Sequence, residues 1–321
     1  MKTAALGIVL LTALALQAAT PTRVMLLDGE SGGTYHNWQA TTPVLKRTLE
    51  ETGLFQVDVV TAPPANGDFS AFKPEFGKYQ MVVWNYDAPD GRWPAAVQTS
   101  FEQFVSNGGG VVIVHAADNA FPGWKAFNEM IGIGGWRNRD EKAGPLWYLK
   151  DGKLVSDETP GRAGAHGNRV PFLMTVRDAN HPVLKGLPKT WMHQGDELYA
   201  TLRGPGKNLT VLASAFSDSA NRGTGRDEAI LMALSFGKGR IFHTTLGHDV
   251  PAISSVDFVV TLQRGAEWAA TGKVTQKVPA NFPTADSVTY RTDLAAMDPN
   301  YSAGLVSPPP PGAGRGRGAA K

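Results

Sequence analysis

The 321-residue sequence contains no cysteine. A chain without thiols has no disulfide framework, no thiolate nucleophile and no sulfur ligand for zinc or an iron–sulfur cluster. Its stability must therefore come from a large hydrophobic core, and a hydrophobic content of 42% is sufficient for one. Polar chemistry is left to histidine, carboxylate and other non-sulfur side chains.

The sequence also carries little net charge, with a formal value of +2 at pH 7. A basic surface is the usual mark of a nucleic-acid partner, so none is expected here. The last residues, 307–321, read SPPPPGAGRGRGAAK and contain almost nothing that could be buried. We predict that they form a disordered tail, because such a segment cannot offset the entropy cost of ordering it.

Long apolar runs are scarce, and the one at the N-terminus is short. It extends from Ala4 to Ala15, follows Lys2 and leads to the small residues Ala18 and Ala19. This pattern predicts a secretory signal peptide over residues 1–19, with a buried first helix as the alternative. Since no second run reaches about 18 apolar residues, we expect a secreted or periplasmic protein without a membrane span after signal removal.

Apolar runs alternate with helical patterns in the first half of the chain. Strands are predicted at 24–27, 55–60, 80–85 and 111–114, with one helix beginning at Pro43 and another at Pro94. Further strands are predicted at 172–176, 209–214, 229–236 and 240–246, followed by a helix over 256–269. The alternation predicts an α/β fold, a three-layer sandwich with a mostly parallel central sheet.

Residues 133–170 interrupt this pattern with a glycine-rich and charged stretch that contains Trp136 and Trp147. Long irregular insertions in compact domains are usually functional loops or linkers. The aromatic residues favour a functional loop.

Polar side chains follow several of the predicted strands where each strand ends. In wound parallel sheets, ligands bind outside the carboxyl ends of the strands. We therefore expect one shared rim, formed by His36, Tyr86, Asp87, His115, Asp118, His248 and Asp249.

The loop DGESGGTYHNW after the first strand raises the question of phosphate binding. Its glycines match neither G-x-G-x-x-G nor a P-loop, so a phosphate cradle is disfavoured. The glycines more simply allow the chain to leave the strand and bring His36 over the sheet edge. An ordinary surface role for His36 is the alternative.

His115 is the leading acid–base candidate, because it follows a very apolar strand and should lie in a partly dry setting. The other catalytic candidates are His36, His248, Asp249 and Glu197. Purely structural hydrogen bonding is the alternative for each of them. The candidates for contacting a substrate are Tyr86, Asp118, Trp136 and Trp147.

A metal site is an open alternative for the same side chains. His36, His115 and His248, together with Asp249 or Glu197, could supply the ligands of a catalytic zinc. Their spacing matches no compact metal motif. No cofactor is therefore required by the sequence, and a bound divalent metal remains one hypothesis.

Four segments resemble the ThuA-like family, which is named for trehalose utilisation. They are GGGVVIVHAAD at 108–118, HPVLKGLP at 181–188, DELY at 196–199 and SFGKGRIFHTTLGHD at 235–249. The last is the most specific, and the resemblance covers residues 24–272. We accordingly predict a ThuA-like domain over 22–272 and a C-terminal extension over 273–306.

The resemblance implies a flavodoxin-like fold of the class I glutamine amidotransferase type. Amidotransferases of that superfamily place a cysteine on the sharp turn after a strand, where this chain has His115. Glutamine hydrolysis by a thiolate is therefore excluded. The resemblance also implies a role in carbohydrate use.

The function predicted from these observations is that of an exported enzyme acting on a sugar or keto-glycoside by histidine acid–base chemistry, as a hydrolase, lyase or isomerase. Its partner would be a small saccharide, and the oligomeric state is not indicated. The alternatives are a non-catalytic sugar-binding module and a metal-dependent hydrolase.

Overall fold

The computed structural model describes residues 20–31 and 36–298. The predicted signal peptide, Gly32, Gly33 and the predicted tail lie outside the described residues. The strands are β1 Thr22–Asp28, β2 Phe55–Thr61, β3 Met81–Trp84, β4 Gly110–Val114, β5 Leu146–Lys150, β6 Lys153–Asp157, β7 Ala165–His166, β8 Val170–Val176, β9 Thr190–Asp196, β10 Tyr199–Ala200, β11 Thr210–Ser217, β12 Arg226–Phe236 and β13 Gly239–Thr244. The helices are α1 Trp38–Glu50, α2 Ala95–Ser106, α3 Lys125–Ile131, α4 Val250–Ile253, α5 Val256–Thr271 and α6 Thr292–Ala295.

One large sheet organises the protein, with the strand order β2-β1-β3-β4-β13-β12-β11-β8-β9 and with β5 and β6 attached to β12. Neighbours from β2 to β13 are parallel, and we call these five strands the parallel half. The remaining neighbours are antiparallel and form the antiparallel half. The predicted flavodoxin-like sheet is confirmed, and the later predicted strands extend it as β8, β11, β12 and β13.

Helices cover both faces of the parallel half. Val24 and Leu26 of β1 belong to a core cluster that includes α1 and α5. Met25 and Leu27 belong to a second cluster that includes α2 and α3. Alternate residues of a strand point to opposite faces, so β1 is buried on both sides. The predicted three-layer sandwich is confirmed.

The order of strands reverses at β1, which is flanked by β2 on one side and β3 on the other. Such a switch point leaves a crevice at the carboxyl ends of the strands, where the connections depart in opposite directions. On the far side of β4, the register places Thr244 of β13 beside Val114. The residues that follow β1, β4 and β13 therefore meet at one edge of the sheet.

The first helix begins earlier than predicted. It starts at Trp38, and Pro43 lies inside it. The side chain of Asn37 caps the helix by accepting a hydrogen bond from the backbone N–H of Ala40. The predicted start at Pro43 is therefore wrong, because the capping asparagine and not the proline marks the beginning of this helix.

The insertion at 133–170 is also more regular than predicted. It contains β5 and β6, which form a hairpin, and β7, which pairs with β10. Asp151 and Gly152 form the hairpin turn with positive φ angles of 51° and 74°. An Asp-Gly pair between two strands is a recognised turn signal, so the hairpin could have been predicted.

Residues 273–298 pack against the hydrophobic core cluster that includes α1 and α5. Phe282 is buried against Trp191, with 5.4 Å between the ring centroids, and Leu294 of α6 is fully buried. The division into a domain over 22–272 and an extension over 273–306 stays a prediction. Within the described ranges, no helix has the length and apolar character needed to cross a bilayer.

Candidate metal centre

Three histidines and one glutamate from distant parts of the chain meet at the rim of the sheet. They are His36 beyond β1, His115 after β4, Glu197 after β9 and His248 after β13. One nitrogen or oxygen atom from each side chain lies within 4.8 Å of the corresponding atoms of the other three. We call these four residues the His/Glu cluster.

Backbone carbonyls orient two of the imidazoles. Nδ1 of His115 donates to the carbonyl oxygen of Thr245 at 2.7 Å, and Nδ1 of His36 donates to that of Ser31 at 3.1 Å. A carbonyl can only accept, so in the neutral tautomer the proton lies on Nδ1 and the Nε2 atom carries a lone pair. Both Nε2 atoms face Glu197, at 3.8 and 3.9 Å.

The backbone at His115 has a left-handed conformation, with φ of 48°. A non-glycine residue in this region stores strain, and such positions are concentrated at functional sites. The turn directs the imidazole back across the end of β4 towards Thr245 and Glu197. His115 therefore occupies the sharp turn after a strand, as the sequence predicted.

The carboxylate of Glu197 lies among the imidazoles. Its Oε2 is 3.0 Å from Nδ1 of His248, and its Oε1 is 3.5 Å from Nε2 of His166. Burial opposes ionisation of Glu197, but contact with His115 and His248 outweighs it and holds the pKa of Glu197 below its ordinary value. Burial lowers the pKa of His36 to about 3, and the two neighbouring imidazoles act in the same direction. At neutral pH Glu197 is an anion and His36 a neutral donor of a lone pair.

The cluster meets the chemical requirements of a metal site. Nε2 of His115 and Nδ1 of His248 are buried and form no well-aligned hydrogen bond among the described residues, although Oε2 of Glu197 lies 3.8 and 3.0 Å from them. Buried polar atoms normally find a partner, and these two lie beside a shared carboxylate. Three imidazole nitrogens and one carboxylate oxygen are ligands for zinc and related divalent transition metals. The cluster could hold such an ion.

Asp196 connects the two loops that carry Glu197 and His248. Its carboxylate accepts from the backbone N–H groups of Glu197 at 2.7 Å, Gly247 at 2.7 Å and His248 at 3.2 Å. Burial would raise the pKa of Asp196, but His193, His115 and Arg169 hold it below its ordinary value. A single buried anion thus fixes the backbone beneath two members of the cluster.

A buried imidazole supports Asp196 from behind. His193 lies between two carboxylates, with Nε2 3.3 Å from Asp196 and Nδ1 2.8 Å from Asp257. Asp257 also accepts from the indole N–H of Trp191 at 2.9 Å. Burial disfavours the charged imidazole, but the two carboxylates outweigh it and raise the pKa of His193 to about 9. At neutral pH His193 is therefore a buried cation between Asp196 and Asp257.

A narrow cavity of about 10 Å³ lies between the cluster and the switch point. Its wall includes His36, His115, His248, Tyr86 and Asp87. This volume is close to the minimum that one water molecule needs.

Asp87 brings a second carboxyl group to this cavity. Its Oδ1 accepts from Nε of Arg137 at 2.5 Å. Burial raises the pKa of Asp87 to about 6, and Arg137 limits the rise. Asp87 can therefore change its protonation state near neutral pH.

The family model described as "ThuA: Trehalose utilisation" matches residues 23–269 of this chain. The chain belongs to the ThuA family. This membership supports a role in carbohydrate utilisation, and the predicted resemblance is confirmed.

Solved structures agree with the assignment. The chain is 47% identical to a ThuA-like protein from Parabacteroides merdae, with a TM-score of 0.82 over 86% of this chain and 99% of that one. It is 20% identical to a ThuA-like protein from Bacteroides uniformis, with a TM-score of 0.53 over 82% and 97% of the two chains. The second likeness concerns the fold alone. A search of curated proteins gave no significant match.

Other predicted site residues of this ThuA domain lie around the cluster. Tyr86 lines the narrow cavity, and Trp136 packs on Tyr199 with 4.4 Å between the ring centroids. Asp249 lies outside the cluster, where it caps α4 and pairs with Arg169 at 2.6 Å. Asp249 is not a member of the cluster, and its catalytic role stays a prediction.

Two further residues of the prediction have internal partners. Asp118 is fully buried, and its Oδ2 lies 3.3 Å from Nε2 of His243. The indole N–H of Trp147 donates to the carbonyl of Gly204 at 2.8 Å. The roles of both residues in substrate binding stay predictions.

Sequence reasoning missed two neighbours of the cluster in the ThuA domain. His166 reaches Glu197 from the insertion, and about a third of its side chain is exposed. Tyr199 lies on His115, with 4.1 Å between the ring centroids, and its hydroxyl is 3.4 Å from Nε2 of His36. A lone histidine within the glycine-rich stretch AGAHGN was the only signal for His166.

Proposed function

We propose that this protein is a metal-dependent enzyme of carbohydrate utilisation that acts on a small saccharide at the His/Glu cluster. The observation that carries the proposal is the meeting of His115, His248 and His36 around Glu197, where two buried nitrogens form no well-aligned hydrogen bond within the described chain. Of the three functions predicted from the sequence, this geometry supports the metal-dependent one best.

The four members of the cluster would hold the ion. His36 and His115 each offer Nε2. Their Nδ1 atoms donate to backbone carbonyls, and hydrogen bonds of this kind orient the imidazole rings of metal ligands. His248 offers Nδ1 and Glu197 a carboxylate oxygen. A bound divalent cation supplies Lewis acidity towards a sugar carbonyl or hydroxyl oxygen.

The residues around the cluster would handle the sugar and its protons. Asp87 faces the same cavity, and its pKa of about 6 suits a carboxyl group that takes up and returns a proton near neutral pH. His166, partly exposed beside Glu197, is placed to hydrogen-bond a sugar hydroxyl. Trp136 packs next to His166 and adds an apolar surface for the ring.

The first test is elemental analysis of protein purified without chelators. We expect close to one transition-metal ion per chain, loss of turnover after removal of the ion by chelation, and recovery when the ion is returned. The substrates are trehalose, other glucosides and their keto forms, with product detected by chromatography. Metal-free protein that turns over a saccharide at the same rate would contradict the proposal, and saccharide binding without conversion would favour the binding module.

Export is part of the proposal. It is supported by the apolar segment and small-residue exit within residues 1–19. Expression of the full chain in a bacterial host should deliver protein to the periplasm with a new N-terminus near residue 19 or 20, as determined by N-terminal sequencing. Retention of Met1 in cytoplasmic protein would contradict it.

A further inference from the structure

A second cavity lies on the same edge of the sheet as the His/Glu cluster. Strand β12 runs antiparallel to both β13 and β11, so β11 ends at the edge where β13 ends. Strand β8 runs antiparallel to β11 and therefore begins at that edge. The start of β8 and the end of β11 enclose a cavity of about 250 Å³, which we call the rim cavity.

The wall of the rim cavity combines apolar and amide side chains. Phe216 is 53% exposed and Leu173 is 40% exposed, which makes them two of the few large apolar side chains that face solvent in the described chain. Asn168 and Asn221 also line the cavity and contribute side-chain amides to its wall. An open aromatic face can pack on the apolar face of a sugar ring, and amide side chains can donate hydrogen bonds to its hydroxyl groups and accept them.

The rim cavity adjoins the cluster through two chain segments. Gly167 and Leu198 line the cavity, and they directly follow His166 and Glu197. The side chains of His166 and Glu197 are themselves 3.5 Å apart. Residues 166–167 and 197–198 thus lie between the two sites and contribute to both of them.

We propose that the rim cavity binds a second sugar ring of a saccharide whose reacting ring lies at the His/Glu cluster. The proposal rests on the proposed function and extends it, because it assigns the substrate to the disaccharides or longer saccharides. Phe216 stacks against the apolar face of the distant ring. Asn168 and Asn221 hydrogen-bond its hydroxyl groups.

The test uses the full-length protein labelled at leucine and valine methyl groups. Trehalose, maltose, cellobiose and glucose are titrated separately and followed by NMR. We expect at least one of the three disaccharides to shift the methyl signals of Leu173, Leu198 and Val170, and to bind more tightly than glucose. Phe216→Ala should weaken that binding by about 3- to 10-fold, which is the range expected for one aromatic contact.

Matched variants separate a local effect from a general one. Leu173→Ala should weaken disaccharide binding, whereas Val59→Ala should not, since Val59 on β2 is equally exposed at 40% and lies on another part of the sheet. Asn168→Ala should also weaken it. Unshifted cavity methyls with all three disaccharides, or Phe216→Ala binding equal to that of the parent, would overturn the proposal.

A further variant distinguishes this proposal from the proposed function. His115→Ala should lower metal affinity by more than about 100-fold and remove turnover, while the disaccharide still shifts the cavity methyls. Cavity shifts in a parent protein that binds no metal would leave the rim cavity in place and refute the metal enzyme. A metal-loaded, active protein without cavity shifts would refute only the rim cavity.

Discussion

The two halves of the sheet contribute to the His/Glu cluster in different ways. The parallel half supplies its three histidines from residues that follow β1, β4 and β13. The antiparallel half supplies Glu197 after β9, and the insertion attached to it supplies His166, a neighbour of the cluster. The nitrogen donors thus come from strand ends, whereas the carboxylate comes from a segment that crosses the rim.

This difference shows which parts of the site are fixed by the sheet and which depend on added contacts. Parallel register and the carbonyl of Thr245 set the position of His115. Glu197 depends on Asp196, which is supported in turn by His193 and Asp257. Disruption of the two halves should therefore have distinguishable consequences.

The largest effect is expected when either half loses a member of the cluster. His115→Ala and Glu197→Gln should each lower metal affinity by more than about 100-fold. Loss of a residue that only hydrogen-bonds to a ligand typically costs about 10- to 100-fold, and loss of the ligand itself should cost more. Both should remove turnover. Metal affinity is measured by competition with a chromophoric chelator. Unchanged affinity in Glu197→Gln would show that the parallel half binds the ion alone.

A smaller effect on affinity is expected from the support beneath Glu197. Asp196→Asn should lower metal affinity by about 10- to 100-fold. It should also lower the free energy of unfolding by about 3 kcal/mol, since it leaves a buried partner of His193 without its charge. Urea unfolding measures the stability. Asp218→Asn, at a solvent-exposed turn of the antiparallel half, is the control and should change neither property.

The buried imidazole gives the antiparallel half its own pH dependence. The pKa of His193 is raised to about 9 in the folded protein, against about 6.5 when unfolded. Its stabilisation is therefore fully present below pH 6.5 and is lost as the pH rises through 9. We expect the free energy of unfolding to fall by about 3 kcal/mol between pH 6 and pH 10. Urea unfolding of the metal-free protein measures this change. His193→Gln should flatten this decline, and an equal decline in that variant would contradict the assignment.

The smallest effect is expected in the hairpin of β5 and β6. Gly152→Ala places a side chain at a φ of 74° and should cost about 1 kcal/mol of stability. Metal affinity should not change, because the turn lies outside the cluster. Gly77→Ala is the control, since Gly77 has open space around it and no positive φ. If the two variants were equally stable, the positive φ at Gly152 would not be the cause of the predicted destabilisation.

The parallel half was largely predictable from the sequence, since a short apolar run followed by a polar residue marks each of its central strands. That pattern alone predicts His36, His115 and His248 at a common edge of the sheet. Strand β9 has no such pattern, because TWMHQGD contains His193, Gln194 and Asp196, which are buried by pairing rather than by apolar character.

Contacts between distant segments account for most of what the sequence did not predict. Glu197 was a candidate, but its place among the imidazoles depends on how Asp196 joins the 196–197 segment to residues 247–248. His166 and Tyr199 meet the cluster only because β7 pairs with β10 over two residues. Neither contact leaves a periodic signal along the chain.

The position of β9 at the end of the sheet also bears on how the proposed centre would open. In the strand order β9 has β8 as its one neighbour, whereas β1, β4 and β13 each have a neighbour on both sides. Local opening should therefore reach β9 before the central strands, and a bound ion would lose its carboxylate ligand before its imidazoles.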